Sequence, residues 1–143
     1  MHVKKLFLFL PLLLMQCANK PATNYNMKIN QADLKNEKTK AHEFLKEMYQ
    51  DAYFPKNLVD KGRIILLNLC LQIEQQKPKN LEELYKMTHE ATNQFNNLQI
   101  EFEKNNSDIE TAARDCIGTD FEFIARAYGY NADTEELIAN RNW

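Results

Sequence analysis

Residues 80–104, NLEELYKMTHEATNQFNNLQIEFEK, decide the fold class of this 143-residue chain. Apolar and small side chains recur every three or four positions and form one continuous stripe along the segment: Leu81, Leu84, Thr88, Ala91, Phe95, Leu98 and Phe102. Such a stripe is typical of an amphipathic helix that packs in a bundle. Asn80 is a favourable N-cap with Glu83 three residues later, so we expect the helix to begin there and to end near residue 104.

The sequence on both sides of this segment predicts four more helices. A short helix over residues 44–49 ends before Pro55, because the residue that precedes a proline avoids helical angles. The second helix runs from Pro55 to about residue 76 and is apolar on two opposite faces, which is typical of a buried helix. Ser107 and Glu110 form a capping box at the start of the fourth helix, and Asp133 caps the fifth. No stretch alternates with period two. We therefore expect an all-α bundle of about five helices with the second helix at its centre.

Residues 1–17 have the features of an export signal. Lys4 and Lys5 precede an apolar run over residues 6–15, which is too short to span a bilayer but fits the hydrophobic region of a signal peptide. The run ends at Leu14-Met15-Gln16-Cys17, which resembles the lipobox of bacterial lipoproteins, although Met15 and Gln16 stand where smaller residues are usual. Cys17 is therefore the expected lipidation site, which would attach the protein to a membrane of the cell envelope. Cleavage nearby, which would give a secreted or periplasmic soluble protein, and retention of the segment as an anchor are the alternatives.

The rest of the chain divides into a polar segment and a globular domain. Residues 18–40 contain few apolar side chains, which predicts a flexible tether, and the domain follows over residues 41–143. Seven lysines and two acidic residues precede residue 41, so the net charge of −2 for the chain leaves −7 on the domain. An acidic domain argues against nucleic acid as the partner and permits a basic protein partner.

Asp120 is the polar residue that fits its helical pattern least well. It falls in the middle of the apolar face of the fourth predicted helix, which consists of Ile109, Ala113, Cys116, Ile117, Ile124 and Ala127. Since a buried carboxylate needs a partner or must be neutral, we expect Asp120 to be paired. Arg63 is the favoured partner and His89 is the second choice. These three residues form the candidate buried polar cluster, which either fixes the packing of the helices or lines a pocket.

Other residues with reactive side chains do not complete a motif. His89-Glu90 begins like a zinc-protease motif, but Asn93 stands where the second histidine is required. His89 belongs to a polar stripe that is either a packing face or a binding groove: Tyr85, His89, Thr92, Asn96, Gln99 and Glu103. Cys70 and Cys116 either pair, as in many exported proteins, or remain buried free thiols. We assign no catalytic residue, no metal site and no cofactor.

Several segments together resemble a bacterial domain family of unknown function, and they cover nearly all of residues 41–143. They are Phe44-Leu45 with Met48-Tyr49, Tyr53-Phe54-Pro55, Ile65-Leu66 with Leu69-Cys70, Thr88-His89 with Ala91-Thr92, Phe95-Asn96 with Leu98, Ser107 with Ile109-Glu110-Thr111, Asp120-Phe121, and the terminal Arg141-Asn142-Trp143. The resemblance implies that Asp120, His89 and Trp143 belong to a shared pattern. It implies no activity.

Three functions are compatible with these observations. The first is a membrane-tethered protein-interaction domain, of which an immunity or inhibitor-type lipoprotein is one specific version. The second is a small-ligand binder or an enzyme that uses the polar cluster around Asp120 and His89. The third is a structural lipoprotein of the envelope. A pocket lined by the polar cluster would favour the second function over the other two.

Overall fold

The computed structural model describes residues 28–143, which form helices and connecting loops without a strand. A 3-10 turn at Gln31–Asp33 precedes six α-helices: α1 (Glu37–Ala41), α2 (Lys46–Gln50), α3 (Lys56–Gln76), α4 (Leu81–Lys104), α5 (Thr111–Ala127) and α6 (Thr134–Leu137). The expected all-α class is confirmed. Within this part of the chain, none of the helices combines the length and the apolar character needed to cross a bilayer. Cys17, with the rest of the expected signal and the first part of the expected tether, lies outside the described residues.

Helix α3 lies at the centre of the domain, as its two apolar faces predict, and it contacts α2, α4 and α5. Side chains from opposite sides of α3 are buried, such as Ile65 on one side and Leu67 on the other. Gly62 allows the closest approach in this region. A Cβ atom at position 62 would lie 3.0 Å from Leu45 Cδ1 and 3.1 Å from Phe95 Cε1, so α2 and α4 pack directly against the α3 backbone.

Two of the three predicted helix caps are present. The side chain of Asn80 accepts a hydrogen bond from the Glu83 N–H, and that of Asp133 accepts from Glu135 and Glu136. The capping box at Ser107 is wrong, because α5 begins only at Thr111 and its N-cap residue, Glu110, makes no capping hydrogen bond with its side chain.

A side chain from α4 holds the loop that replaces the expected first turn. Gln99 Oε1 accepts the Ile109 N–H at 2.8 Å, and Gln99 Nε2 donates to Asp108. These long-range bonds satisfy the backbone before α5, which removes the need for a local capping box. A pattern confined to residues 107–110 does not reveal this competition.

The packed domain begins earlier than the expected boundary at residue 41. Residues 28–41, which we call the N-terminal strap, include the 3-10 turn and α1, and they place Leu34 and Thr39 in the interior at 1% and 0% exposure. The prediction of a tether through residue 40 is therefore wrong for the part that the structure describes. The strap is held mainly by polar bonds to its backbone, which a count of apolar residues does not detect.

Glu74 on α3 and Asn36 in the strap supply most of these bonds. The Glu74 carboxylate accepts the N–H groups of Lys35 and Asn36 at 2.9–3.0 Å and the Tyr128 hydroxyl at 2.6 Å. The Asn36 side chain caps α1 and also donates to the Ala127 carbonyl at 2.9 Å. The strap is thereby fixed to both α3 and the end of α5.

Candidate functional site

Asp120 is buried, as its position on α5 predicts, but its partners differ from those expected. One carboxyl oxygen lies 2.7 Å from His42 Nε2, and the other accepts the Leu45 N–H at 2.7 Å. His42 and Leu45 flank the loop between α1 and α2. Leu45 has a left-handed backbone with φ +55°, a strained conformation for this residue, and it forms the N-terminal cap of α2 without a side-chain bond. Asp120 therefore stabilises the start of α2 from a neighbouring helix.

The surroundings of Asp120 fix the imidazole of His42. The His42 ring stacks on Phe123 with a centroid separation of 3.7 Å and an angle of 10°, and its edge meets Phe44. Burial raises the pKa of Asp120, and the hydrogen bonds from His42 and Leu45 oppose that rise. His42 Nδ1 has no hydrogen-bond partner within residues 28–143. The structure thus holds one imidazole nitrogen and leaves the other available.

Arg63 and His89 do not join Asp120, so the expected three-residue cluster is wrong. Arg63 Nη2 donates to Gln31 Oε1 at 2.7 Å, whereas His89 Nε2 lies 2.7 Å from the Glu136 carbonyl oxygen. The observed partner of Asp120 is His42. The sequence pattern does not predict this pairing, because His42 lies at the expected tether boundary and outside any apolar repeat. The sequence feature that could have pointed to His42 is its position two residues before the Phe44-Leu45 segment.

A cleft of about 450 Å³ lies beside this histidine, and we call it the α2 cleft. Its lining residues are Gln31, His42, Glu43, Phe44, Lys46, Tyr49, Gln50 and Arg63. The strap therefore contributes to one wall, α2 to another and α3 to the third. The cleft combines aromatic surface with three basic side chains, a composition suited to binding a small polar group.

Hydrogen bonds within the α2 cleft occupy some of its polar groups. Lys46 pairs with Glu43 at 2.7 Å, and both side chains are largely exposed. The Tyr49 hydroxyl donates to Asp60 at 2.6 Å. Burial raises the pKa of Tyr49, and the bond to Asp60 raises it further, so this phenol stays protonated at neutral pH.

Gln31 connects the strap to the α2 cleft. Its Nε2 donates to the carbonyl oxygens of Thr39 and His42 at 2.7 and 2.8 Å, while its Oε1 accepts from Arg63. Arg63 forms no ion pair with a carboxylate in the described part of the chain. The guanidinium is thus positioned by a neutral amide and retains unused donors.

A second cleft, of about 390 Å³, lies between the strap, α3 and the end of α5. Its carboxylate, Glu74, already accepts three donors from the strap and Tyr128, and these bonds outweigh burial and lower its pKa. The Glu74 carboxylate and the Tyr128 hydroxyl of this cleft therefore serve the fold. The α2 cleft is the better candidate for a binding site.

Both cysteines of the described domain are buried free thiols. Cys116 Sγ lies 3.3 Å from Glu47 Oε2, and burial followed by that contact raises the pKa of Cys116 to about 12. Burial raises the pKa of Cys70 as well. Since thiolates are the reactive form, neither group is prepared for nucleophilic catalysis, and the pairing alternative is wrong for this structure.

The polar stripe of α4 is a packing face for the C-terminal residues. His89 contacts the Glu136 carbonyl, and Asn96 accepts the Asn142 N–H at 3.1 Å while donating to the Asn140 carbonyl at 3.1 Å. Trp143 packs with its edge toward Phe95, at a centroid separation of 6.2 Å. The end of the chain thus occupies the groove that the stripe suggested.

Within residues 28–143, no group of three or more His, Cys, Asp or Glu side chains is arranged to hold a metal ion.

The fold and its cleft define a small all-helical domain with a histidine–aspartate pair beneath a basic and aromatic surface. The model of a family of unknown function, DUF5713, matches residues 38–143, so the chain belongs to this family. No curated protein and no solved structure matches the chain significantly. The match covers the domain and the last part of the strap, and it begins after Leu34.

Proposed function

We propose that this protein is a binding module of the bacterial cell envelope, attached to a membrane through a lipid on Cys17. The observation that carries the proposal is Arg63, a half-buried guanidinium in the α2 cleft without a carboxylate partner in the described chain. Such a group contributes little to the fold as an ion pair, yet it is well suited to recognise an anionic group on another molecule.

The connection between the strap and the cleft supports a partner close to the membrane. Gln31 positions Arg63, and residues immediately before it lead toward Cys17. An immunity or inhibitor-type lipoprotein that engages its target at the envelope is a specific version of this proposal. A structural lipoprotein would use the same anchor without a specific ligand in the cleft.

Site-specific photocrosslinking in cells tests the binding module. A photoreactive amino acid at Gln50, which lines the cleft, should capture one discrete product, and Arg63→Gln should abolish that product. The same amino acid at the exposed Lys86 on α4 is the matched control and should capture nothing specific. Equal products from both positions, or none from Gln50, would reject the module and favour a structural role.

Acid–base catalysis on a ligand in the same cleft is a second candidate function. The His42–Asp120 pair favours it, because a buried carboxyl group that orients an imidazole is a common arrangement for proton transfer. A panel of ester, amide and phosphoester substrates tests this candidate. Turnover by the wild type that is lost in His42→Ala would support it, whereas identical rates for the two proteins would reject it.

A further inference from the structure

The charges of the α2 cleft contrast with those of the domain around it. Residues 41–143 carry a formal charge of −7, whereas the cleft contains Arg63, Lys46 and His42 against a single lining carboxylate, Glu43. Glu43 neutralises Lys46. Among residues 28–143, Arg63 forms no ion pair, and the nearby Asp60 carboxylate is engaged by the Tyr49 hydroxyl, so Arg63 is the group of the cleft best suited to attract an anion.

The shape of the Arg63 side chain indicates which anion it suits. A guanidinium presents a planar fork of donors that matches a carboxylate in a bidentate arrangement. One of its nitrogens is directed to Gln31, which fixes the plane of the group. Since Gln31 is itself held by carbonyl oxygens of the strap, the fork is oriented before a ligand arrives.

The other lining residues favour a singly charged ligand with an apolar body. Because Glu43 pairs with Lys46, Arg63 remains as the positive group, and it balances one negative charge rather than the two of phosphate. The half-buried Tyr49 provides aromatic surface in the same cleft, whereas Phe44 is only 2% exposed, and the Tyr49 hydroxyl is already used by Asp60. The cleft thus offers one positive group and an apolar wall.

We propose that the α2 cleft binds a carboxylate attached to an apolar or aromatic group, with Arg63 as its main ligand. This inference rests on the proposed binding function and specifies its chemistry. The carboxylate belongs either to a small molecule or to a terminus or side chain of a protein. Both sources present the same group to Arg63.

Titration of the full domain with benzoate and benzamide, followed by NMR, tests the chemistry. The two probes have nearly the same shape, but only benzoate carries a charge. We expect benzoate to shift the Arg63 side-chain signals and the Tyr49 amide in a saturable way, and benzamide to leave them unchanged. Equal shifts from the two probes would overturn the proposal, because they would show recognition of the ring alone.

Variants that each remove one positive or one negative charge extend this test. Arg63→Gln should weaken benzoate binding at least about tenfold, since it removes charged hydrogen bonds. The control Arg126→Gln removes an exposed arginine that pairs with Glu122 on α5, and binding should not change. Glu43→Gln should strengthen binding about two- to fivefold because it releases the positive charge of Lys46 from its ion pair. That gain cannot result from unfolding, so unchanged binding in Glu43→Gln would count against the proposal even if Arg63→Gln were unstable.

A third experiment identifies the source of the carboxylate. It also distinguishes a failure of this inference from a failure of the proposed function. A short peptide that ends in phenylalanine is compared with its C-terminal amide. Stronger binding of the free acid than of benzoate assigns the site to a protein terminus, and weaker binding assigns it to a small molecule. If the Gln50 crosslink forms but neither carboxylate binds, the carboxylate inference is wrong and the binding module stands.

Discussion

At the scale of single residues, Asp120 has the largest predicted effect on stability. Its carboxyl group serves two donors from another part of the chain, the His42 ring and the Leu45 N–H. Asp120→Ala leaves both without an acceptor, and an unsatisfied buried donor costs about 1–3 kcal/mol. The His42 donor costs less than a fully buried one, because the ring is partly exposed and can bind water. For the two donors together we expect a loss of roughly 2–4 kcal/mol in the free energy of unfolding. Urea denaturation measures it.

Two comparisons show whether this loss arises from the observed partners. Asp120→Asn should be milder, since an amide oxygen can still accept the Leu45 N–H. The losses from Asp120→Ala and His42→Ala should not add in the double variant, whereas those from Asp120→Ala and His89→Ala should. Additive losses in the first pair would contradict the geometry of the His42–Asp120 bond.

The burial of Asp120 could be predicted from the sequence, but its partner could not. Helical periodicity gives the angle of a side chain around its own axis, which placed Asp120 correctly among apolar residues. The choice of partner depends on how loops approach the helix. His42 lies in a loop 78 positions away, and no repeat within its own segment marks it. The α2 cleft was missed for the same reason, since the strap forms part of its wall.

At the scale of helices, substitution of Gly62 and of Gly118 by alanine should have opposite effects on stability. Alanine in a helix interior is favoured over glycine by about 1 kcal/mol. At Gly62 that gain meets crowding by Leu45 and Phe95, both fully buried, and overpacking typically costs about 1–3 kcal/mol. Gly62→Ala should therefore lower stability by up to about 2 kcal/mol.

Gly118→Ala should instead be neutral or stabilising by up to about 1 kcal/mol. A Cβ atom there lies at ordinary contact distances, 3.4 Å from Thr134 Cγ2 and 3.5 Å from Ile138 Cδ1. Thermal unfolding of the two variants is the measurement. A stabilised Gly62→Ala would show that α2 and α4 can move away from α3, against the tight packing seen here.

The helices that could be predicted are those whose ends are set locally. Asn80 and Asp133 cap α4 and α6 with their own side chains, and Pro55 precedes α3, so sequence patterns located all three starts. The start of α5 was misplaced because Gln99, a distant residue, satisfies the loop before it. Helix α1 was absent from the prediction although Asn36 caps it locally, because its 5 residues are too few to show an apolar repeat.

The contact between Glu74 and the strap should depend on pH. The hydrogen bonds from Tyr128, Lys35 and Asn36 outweigh burial and lower the pKa of Glu74 in the folded protein. A lowered folded-state pKa stabilises the fold above the ordinary glutamate range, and that contribution is lost as the pH falls through the folded-state value. The difference in unfolding free energy between the wild type and Glu74→Gln should therefore shrink in acid.

Digestion with trypsin is an independent test of the contact between Glu74 and the strap. At neutral pH the wild type should resist cleavage after Lys35, and Glu74→Gln should be cleaved there sooner because the strap is less firmly held. If the stability difference stayed constant between neutral pH and pH 3, the carboxylate would not be the group that holds the strap.

At the scale of the whole molecule, the strap determines how the domain would be presented at a membrane. Under the proposed attachment at Cys17, ten residues, 18–27, separate the lipid from the strap, which begins at residue 28. Even a fully extended chain of that length reaches at most about 35 Å, which would keep the α2 cleft near the lipid surface. A ligand or partner located at the membrane is therefore the one that this arrangement would serve best.

Acylation of Cys17 is the prediction on which this arrangement depends. The basic residues Lys4 and Lys5, the short apolar run and Leu14 three positions before Cys17 together resemble a lipoprotein signal. Two acyl chains give stable attachment, whereas a single chain binds membranes only marginally. Cells that express the full chain should incorporate a palmitate analogue into the wild type and not into Cys17→Ser, and the wild type should sediment with membranes. Cys116→Ser, which changes a buried thiol, is the control and should be labelled normally. Equal labelling of the wild type and Cys17→Ser, or none in either, would show that Cys17 is not the lipidation site and would remove this lipid anchor from the proposed function.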